Sequence, residues 1–565
     1  MRRVMSVLSV TVGAVLLVLG IGAAALVGPD DQIDLRTITA PAGARAVVLP
    51  HDLVPLTGVT LAVTAHADHG DVLVGAAHPV DVASYTAPMR RLVVLRAGLD
   101  GRLAGDVRGR PEDVPSGLDV ARFWTTEDRG PGERSLSVPL DDGSVSVVAV
   151  AADPGSRLRV DVGVQVPSSF GAALGIASVG AVLTGGGVVL GRRRRRPDRT
   201  GGDGPRGDLG SQPGGVAPDT AAPGATTPDA TIGAGAGRAR LAAVAAAAVM
   251  GAAGVTGCAS VPGVASRPAL PERPALTDTE RAAPDPTPHP YDEAAAAAAA
   301  GDPTAWARVM SGPELEAQEF EARVELVRAA RDGTPVDAAT FPLSTLEEVA
   351  PTFTSYPLYR VVVQRREADE AAEPLLRLFE RRDVLDTWHI RAETPLEPGT
   401  TLHAGDATAS HAPDDGDLER ARTALEVVAD YLRTGDATGL DGLGDLPEVQ
   451  QELVADPDLG MVVQSLAVEP WGDPTAPFGP AGAVRAVAVD GGTVAVLALT
   501  VDLTISSSSA DENLRMTDEA VAEVLGQPGW RTSFRQRCVV IVAADVRRSG
   551  SVSVLGARLQ PVMLP

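Results

Sequence analysis

Few residues in this chain stand in a spacing that could do chemistry, and the most specific of them is a cysteine. Cys258 follows Val255-Thr256-Gly257 at the end of the Ala/Val run from Leu241 to Gly257. Small residues ahead of a Cys, behind an apolar stretch, are the setting in which a lipoprotein peptidase cuts and the thiol is acylated, so Cys258 reads as a lipidation site, the alternative being a small residue at the end of a third membrane helix. In "HADHGD", His66, Asp68, His69 and Asp71 are metal-ligand types in a tight group. A zinc site needs three or four ligands oriented by further hydrogen bonds. A polar turn explains the group without a metal, so His66, Asp68 and His69 are weak candidates and no metal site is assigned. The same holds for His403, Asp406 and His411 in "LHAGDATASH". His389 alternates with Trp388 and Ile390 and reads as a surface or edge residue of a strand. Cys538 lies in the apolar run "RCVVIV" and reads as a buried free thiol.

What is missing narrows the chemistry further. All 49 basic residues are Arg. Without Lys there is no phosphate-loop lysine, no Schiff base and no Ser-x-x-Lys nucleophile. Gly-x-Ser-x-Gly, His-Glu-x-x-His and Cys-x-x-Cys are also absent. No catalytic residue and no cofactor is assigned, and the chain is expected not to be an enzyme. Through Cys258 there are 24 acids and 24 Arg, whereas 49 acids and 25 Arg follow it, so the net charge of −24 lies behind the Cys. An acidic second half lacks the basic footprint that nucleic acid requires.

The elements that position these residues begin with three apolar segments. Val4 to Val27 carries no charge and is long enough to cross a bilayer, which needs ~20 residues. Phe170 to Leu190 is a second such run, and Arg192 to Arg196 follow it as a cytoplasmic stop signal. Its Gly185-Gly186-Gly187 reads as helix packing rather than a phosphate loop. The third, Leu241 to Gly257, has 17 uncharged residues behind Arg238 and Arg240, the proportions of a signal-peptide core. The Arg placement puts 30–168 and 259–565 outside and 197–237 inside.

The expected boundaries are 1–29 for a first transmembrane helix, 30–168 for an extracytoplasmic all-β, sandwich-like domain, and 169–191 for a second helix. A disordered cytoplasmic linker covers 192–237, where Gly, Pro, Ala, Thr and Asp dominate. The third apolar segment covers 238–258, and a Pro-rich tether 259–290. Two α+β domains, 291–412 and 413–565, complete a multidomain membrane protein. Runs such as "RLRVDVGVQV" alternate with period two, as half-buried strands do. In the second half, helices precede antiparallel strands twice over. "ELEAQEFEARVELVRAARDG" is followed by "LYRVVVQRR", "PLLRLFERR" and "DTWHIRAE", and "DLERARTALEVVADYLRTGD" by four further runs. Because the linker offers nothing to pack, the two outer modules are expected to fold independently.

Two resemblances accompany this reading. "GDVLVGAAHPVDVASYTA" (Gly70 to Ala87), the alternating run Gly132 to Pro167 and Phe123-Trp124 resemble uncharacterised actinobacterial two-helix membrane proteins over residues 1–195. Tyr356-Pro357, "LLRLFER", Trp388 and the Tyr431 to Asp436 stretch resemble uncharacterised actinobacterial lipoprotein domains. The helix-then-sheet order, occurring twice, resembles the NTF2-like cone. The resemblances concern fold and compartment and carry no activity. They imply a multi-pass cell-membrane protein with most of its folded mass extracytoplasmic, in contact with membrane lipid and with envelope proteins or wall polymer. A non-enzymatic binding or scaffolding role is expected. The alternative is a carrier holding a small hydrophobic ligand in an NTF2-like cone, and a cell-wall enzyme ranks below both.

Overall fold

The computed structural model describes residues 2–29, 31–53, 56–97, 103–109, 122–140, 144–153, 155–192, 263–264, 271–338, 340, 343–366, 372–402, 413–454, 461–472, 482–489, 491–509 and 511–564. Cys258, His403, Asp406 and His411 lie outside them, as do residues 193–237 of the expected linker and the third apolar segment.

Two helices, α1 (Arg2–Val27) and α3 (Ser169–Arg192), are long and apolar enough to cross a membrane. They pack side by side on small residues. A Cβ added at Gly20 would lie 2.4 Å from the Ala177 backbone nitrogen, and one at Gly180 2.4 Å from that of Leu17. Backbones this close require glycine at those positions. Gly187 meets Val10, and its carbonyl accepts a hydrogen bond from the Ser6 hydroxyl at 2.8 Å. Gly185 and Gly186 face open space.

Between these helices lie β1 (Gln32–Thr39), β2 (Ala46–Leu49), β3 (Leu56–Thr57), β4 (Val59–Ala77), α2 (Pro79–Thr86), β5 (Arg91–Ala97), β6 (Leu103–Arg108), β7 (Thr126–Leu140), β8 (Ser146–Ala151) and β9 (Leu158–Gln165). The sandwich-like arrangement expected from the strand runs is realised as one folded sheet of order β1-β9-β4-β8-β2-β5-β6, with β7 also on β4. The reason is the length of β4. Its first part, Thr60 to Ala67, pairs with β9, its last part, Val72 to Ala77, pairs with β8, and β7 follows it throughout. The register shifts between His66 and Asp71, so "HADHGD" is the bulge where the sheet changes partner.

The second half contains β10 (Gly263–Val264), β11 (Arg273–Pro274), α4 (Asp278–Ala282), α5 (Pro288–Ala299), a 3₁₀ turn (Pro303–Arg308), α6 (Gly312–Asp332), β12 (Leu343–Val349), β13 (Thr352–Phe353), β14 (Leu358–Arg366), β15 (Leu375–Arg381) and β16 (His389–Pro395). After it come α7 (Asp415–Thr434), β17 (Leu440–Gly442), α8 (Leu446–Leu453), β18 (Met461–Pro470), β19 (Val484–Val489), β20 (Gly492–Ser507), α9 (Glu519–Val524), β21 (Ser533–Arg547) and β22 (Val552–Val562). Helices precede strands twice, as the periodicities indicate. The two units share one core, however. Val361, Val363, Leu376 and Leu378 of the β12-β14-β15-β16 sheet pack against Val494, Val496, Val539 and Ile541 of the β17-β22-β21-β20-β18 sheet. The opposite face of the second sheet, with Leu497, Leu499, Val540 and Val542, receives Leu425, Val428 and Leu432 of α7 and Val449 of α8. The opposite face of the first receives α5 and the 3₁₀ turn through Tyr291, Trp306, Val362, Phe379 and Ile390. The result is four layers, helix, sheet, sheet, helix. Period-two alternation sends each strand's neighbouring side chains into different layers.

The Pro-rich tether expected over 259–290 is packed from residue 271 onward. Arg273 and Ala275 are buried, β11 pairs with β13, and α4 is closed by a capping box in which Thr277 and Glu280 bond each other's backbone nitrogens.

Candidate functional site at the joint of the two halves

The short helix α2 begins at an X-Pro step, with Pro79 in its first turn and the His78 ring accepting a hydrogen bond from the Val80 nitrogen. One side of the helix buries Val82 and Tyr85 against Leu73, Val148 and Val150. Tyr85, Phe123 and Trp124 form an aromatic group with ring centroids 4.2–5.5 Å apart. A Cβ at Gly75 would strike the Trp124 ring at 2.6 Å, so only glycine leaves room for that indole. The Tyr85 hydroxyl and Trp124 Nε1 are buried without hydrogen-bond partners. Burial pushes the Tyr85 hydroxyl up to about 12.

The next face of α2 carries Asp81 and Ser84 into the second half. Asp81 forms an ion pair of 2.7 Å with Arg273, and the two side chains are 4% and 2% exposed. The Tyr356 hydroxyl donates to Asp81 at 2.8 Å, and the Val384 nitrogen donates to the Ser84 hydroxyl at 3.1 Å. Arg273 is bound further by the carbonyls of Pro274 and Ala275. Glu280 stands 3.5 Å from Arg273 and 3.0 Å from Arg381. Burial would raise the Glu280 carboxyl, but the Thr277 backbone hydrogen bond and the two Arg charges outweigh it and hold the group below its ordinary range. Burial and the Asp81 charge push the Tyr356 hydroxyl upward, so it stays a donor. Burial holds the His78 imidazole below its ordinary range, against the pull of the Asp81 charge and with the Arg273 charge adding to the effect. Val384, Tyr356 and Leu385 extend the apolar cluster of Val82, Tyr85 and Met89 across the joint. At the far end of the first module β3 pairs with β10. The two modules are therefore docked through a buried charge, a strand pair and shared apolar contacts.

Above the ion pair opens a cleft of about 690 Å³ between α2 and the loops around Thr354 and Asp383. Ala83, Tyr85 and Pro88 line one lip, and Tyr356, Val384 and Leu385 the other. Clefts between domains are common places for recognition. The lining is largely apolar, and four of its polar members are engaged. Ser84 and Tyr356 are bonded across the joint, Arg382 pairs with Asp386 at 2.8 Å, and Asp383 accepts from the Leu385 nitrogen. The arrangement offers shape and a fixed charge pattern beneath it, not an aligned nucleophile and base.

The residues singled out in the sequence lie elsewhere. His66, Asp68 and His69 sit on the β4 bulge, where the His69 nitrogen bonds Ser156 and the Asp68 nitrogen bonds the Arg157 carbonyl. Among the described residues, no group of three metal-ligating side chains occurs there. Cys538 is a buried free thiol, pushed up to about 12 by burial. His389 is on the edge strand β16 but is buried rather than exposed, because a bridge between Met310 and Ile390 brings the end of the 3₁₀ turn over that edge. Its Nε2 faces both Thr387 and Asp386, at 3.1 and 3.3 Å, while Nδ1 has no partner. Both neighbours compete for one nitrogen, so the group is not a relay. Sequence reasoning missed Asp81, Arg273, Tyr356 and Glu280. The signal available was the X-Pro helix start before Asp81 and the Thr-x-x-Glu capping box after Arg273. In comparisons with protein families, curated proteins and solved structures, no match to this chain was found.

Proposed function

We propose that the chain is a multi-pass, non-enzymatic protein of the cell envelope, whose two outer modules form one docked binding or scaffolding body against the outer face of the membrane. The observation that carries this reading is the buried Asp81–Arg273 pair. It requires 271–564 to lie on the same side of the membrane as the module between α1 and α3. With α1 and α3 both spanning, the chain crosses an odd number of times between Arg192 and Gly263. Leu241 to Gly257 is the uncharged run of 17 residues available for that crossing.

The strand pairing supports the same reading. Gln32 and Thr60 both pair with Gln165, four residues before α3 begins, so this end of the module faces the two helices. β3 lies at that end, and β10 pairs with it. Cys258 precedes Gly263 by five residues, a reach of at most about 18 Å. A chain leaving the bilayer at Cys258 would meet β3 directly. Cys258 is then either the acylated first residue of a processed second half or the end of a third membrane helix. An acylated Cys258 would contact membrane lipid through its chains. Partners of the outer body would be envelope proteins or wall polymer, and the likeness to an NTF2-like cone belongs to this proposal. Filled sheet faces weigh against a carrier cone, since α7 and α8 occupy the face where a ligand would sit.

The test is labelling of Gly210→Cys in intact cells with a membrane-impermeant maleimide, read against the parent protein. Label is expected only after permeabilisation. Label in intact cells would overturn the crossing.

A further inference from the structure

We infer that the joint, rather than the peptide connection, holds the two halves together, so that they are separable polypeptides that stay assembled after a cut between them. This deepens the docked reading above and rests on it. The contacts that define the joint come from residues 56–89 on one side and from residue 263 onward on the other. Leu56–Thr57 pairs with Gly263–Val264, Asp81 with Arg273 and Tyr356, and Ser84 with Val384. The joint has the composition of a lasting interface. Its charged pair is 4% and 2% exposed, its apolar contacts join Val82, Tyr85 and Met89 to Val384, and each charged partner has a second hold within its own half or across the joint. Arg273 sets its Nε 2.7 Å from Asp81 as an ion pair and donates from Nη1 to the Pro274 and Ala275 carbonyls of its own half. A lone buried Asp81 would be unpaired if the second half left, which makes separation costly. The partner that α2 fits is therefore the 271–385 surface, whether it arrives on the same polypeptide or on a second one. Processing before Cys258 would produce such a second polypeptide and would leave every contact named here intact.

The experiment uses the full chain in detergent with a protease site inserted after Gly210. After complete cutting, the two fragments should co-elute at the size of the uncut protein, and a tag on the first should retain the second. Arg273→Gln and, separately, Ser84→Arg should weaken retention at least tenfold after cutting. Ser84 is at the surface of α2, so its substitution leaves the first module's core intact. The uncut variants are checked by thermal unfolding. Separation of the parent fragments would overturn the inference. So would undiminished retention in both variants, which would assign the association to the apolar segments. Either failure is independent of where Gly210 labels.

Discussion

Arg273 is the residue on which the account turns. A guanidinium is rarely buried without a carboxylate, and here the carboxylate comes from a helix 192 positions earlier in the chain. Nothing local reveals that. "SRPALPERPAL" reads as a tether because Pro and the lack of periodicity dominate it, while the buried charge of Arg273 is met by Asp81 and Glu280, and Asp81 is held in turn by Tyr356. Asp81→Asn should cost about 3–5 kcal/mol, the range for breaking one side of a buried pair, seen as a lowered first thermal transition of the full chain. A second buried acid makes a prediction of the opposite kind. Glu314, in the first turn of α6, has no exposed surface and accepts from the Glu393 nitrogen, Gln318 and Arg558. Burial raises it from 4.5 to about 7 against the pull of Arg558. A folded-state value above the unfolded one means that the folded protein gains a proton between pH 4.5 and about 7. The stability it confers is complete below 4.5 and is lost as pH rises through about 7. The difference in unfolding temperature between the parent and Glu314→Gln should therefore change between pH 5 and pH 8, with the parent losing ground at pH 8. A constant difference would contradict the assignment.

At the scale of elements, the apolar helices and the helix-then-strand order were legible because both depend on local periodicity. Layering was not, although a signal existed. "TVAVLALTV" in β20 and "CVVIVAAD" in β21 are nearly continuous apolar runs, and strands of that kind are buried on both faces. Two separate helix-backed sheets would have left one face of each polar. The single folded sheet of the first module was hidden for a different reason: Gly70 at φ +76 lies in the bulge, and a glycine there looks like a chain reversal when it is a bend within one strand. The helix pair allows a clean test. Gly180→Leu places a side chain where the α1 backbone runs, whereas Gly186→Leu points into open space. The first should lower the unfolding temperature of the detergent-solubilised chain by several degrees, and the second should leave it unchanged. Equal effects would show that α1 and α3 do not pack on this face.

For the whole molecule, the site that sequence motifs indicated and the place where the halves meet are different. The motifs were sought among His, Cys and Asp clusters, and those on described residues prove to be a bulge, an edge and a buried thiol. The cleft and the ion pair beneath it form only when residues from 81 and 273 onward come together, so no window of sequence contains them. Both modules are proposed to sit docked on one outer face of the membrane. The direct measurement places Ser84→Cys and Leu385→Cys, on opposite lips of the cleft, in one full-length chain. Intact cells are treated with a short, membrane-impermeant bifunctional maleimide, and the solubilised protein is then cut at a protease site after Gly210. The two fragments should remain joined on a denaturing gel, and neither the parent nor a chain with one of the two substitutions should give this band. Fragments that separate fully in the doubly substituted chain would contradict the docking.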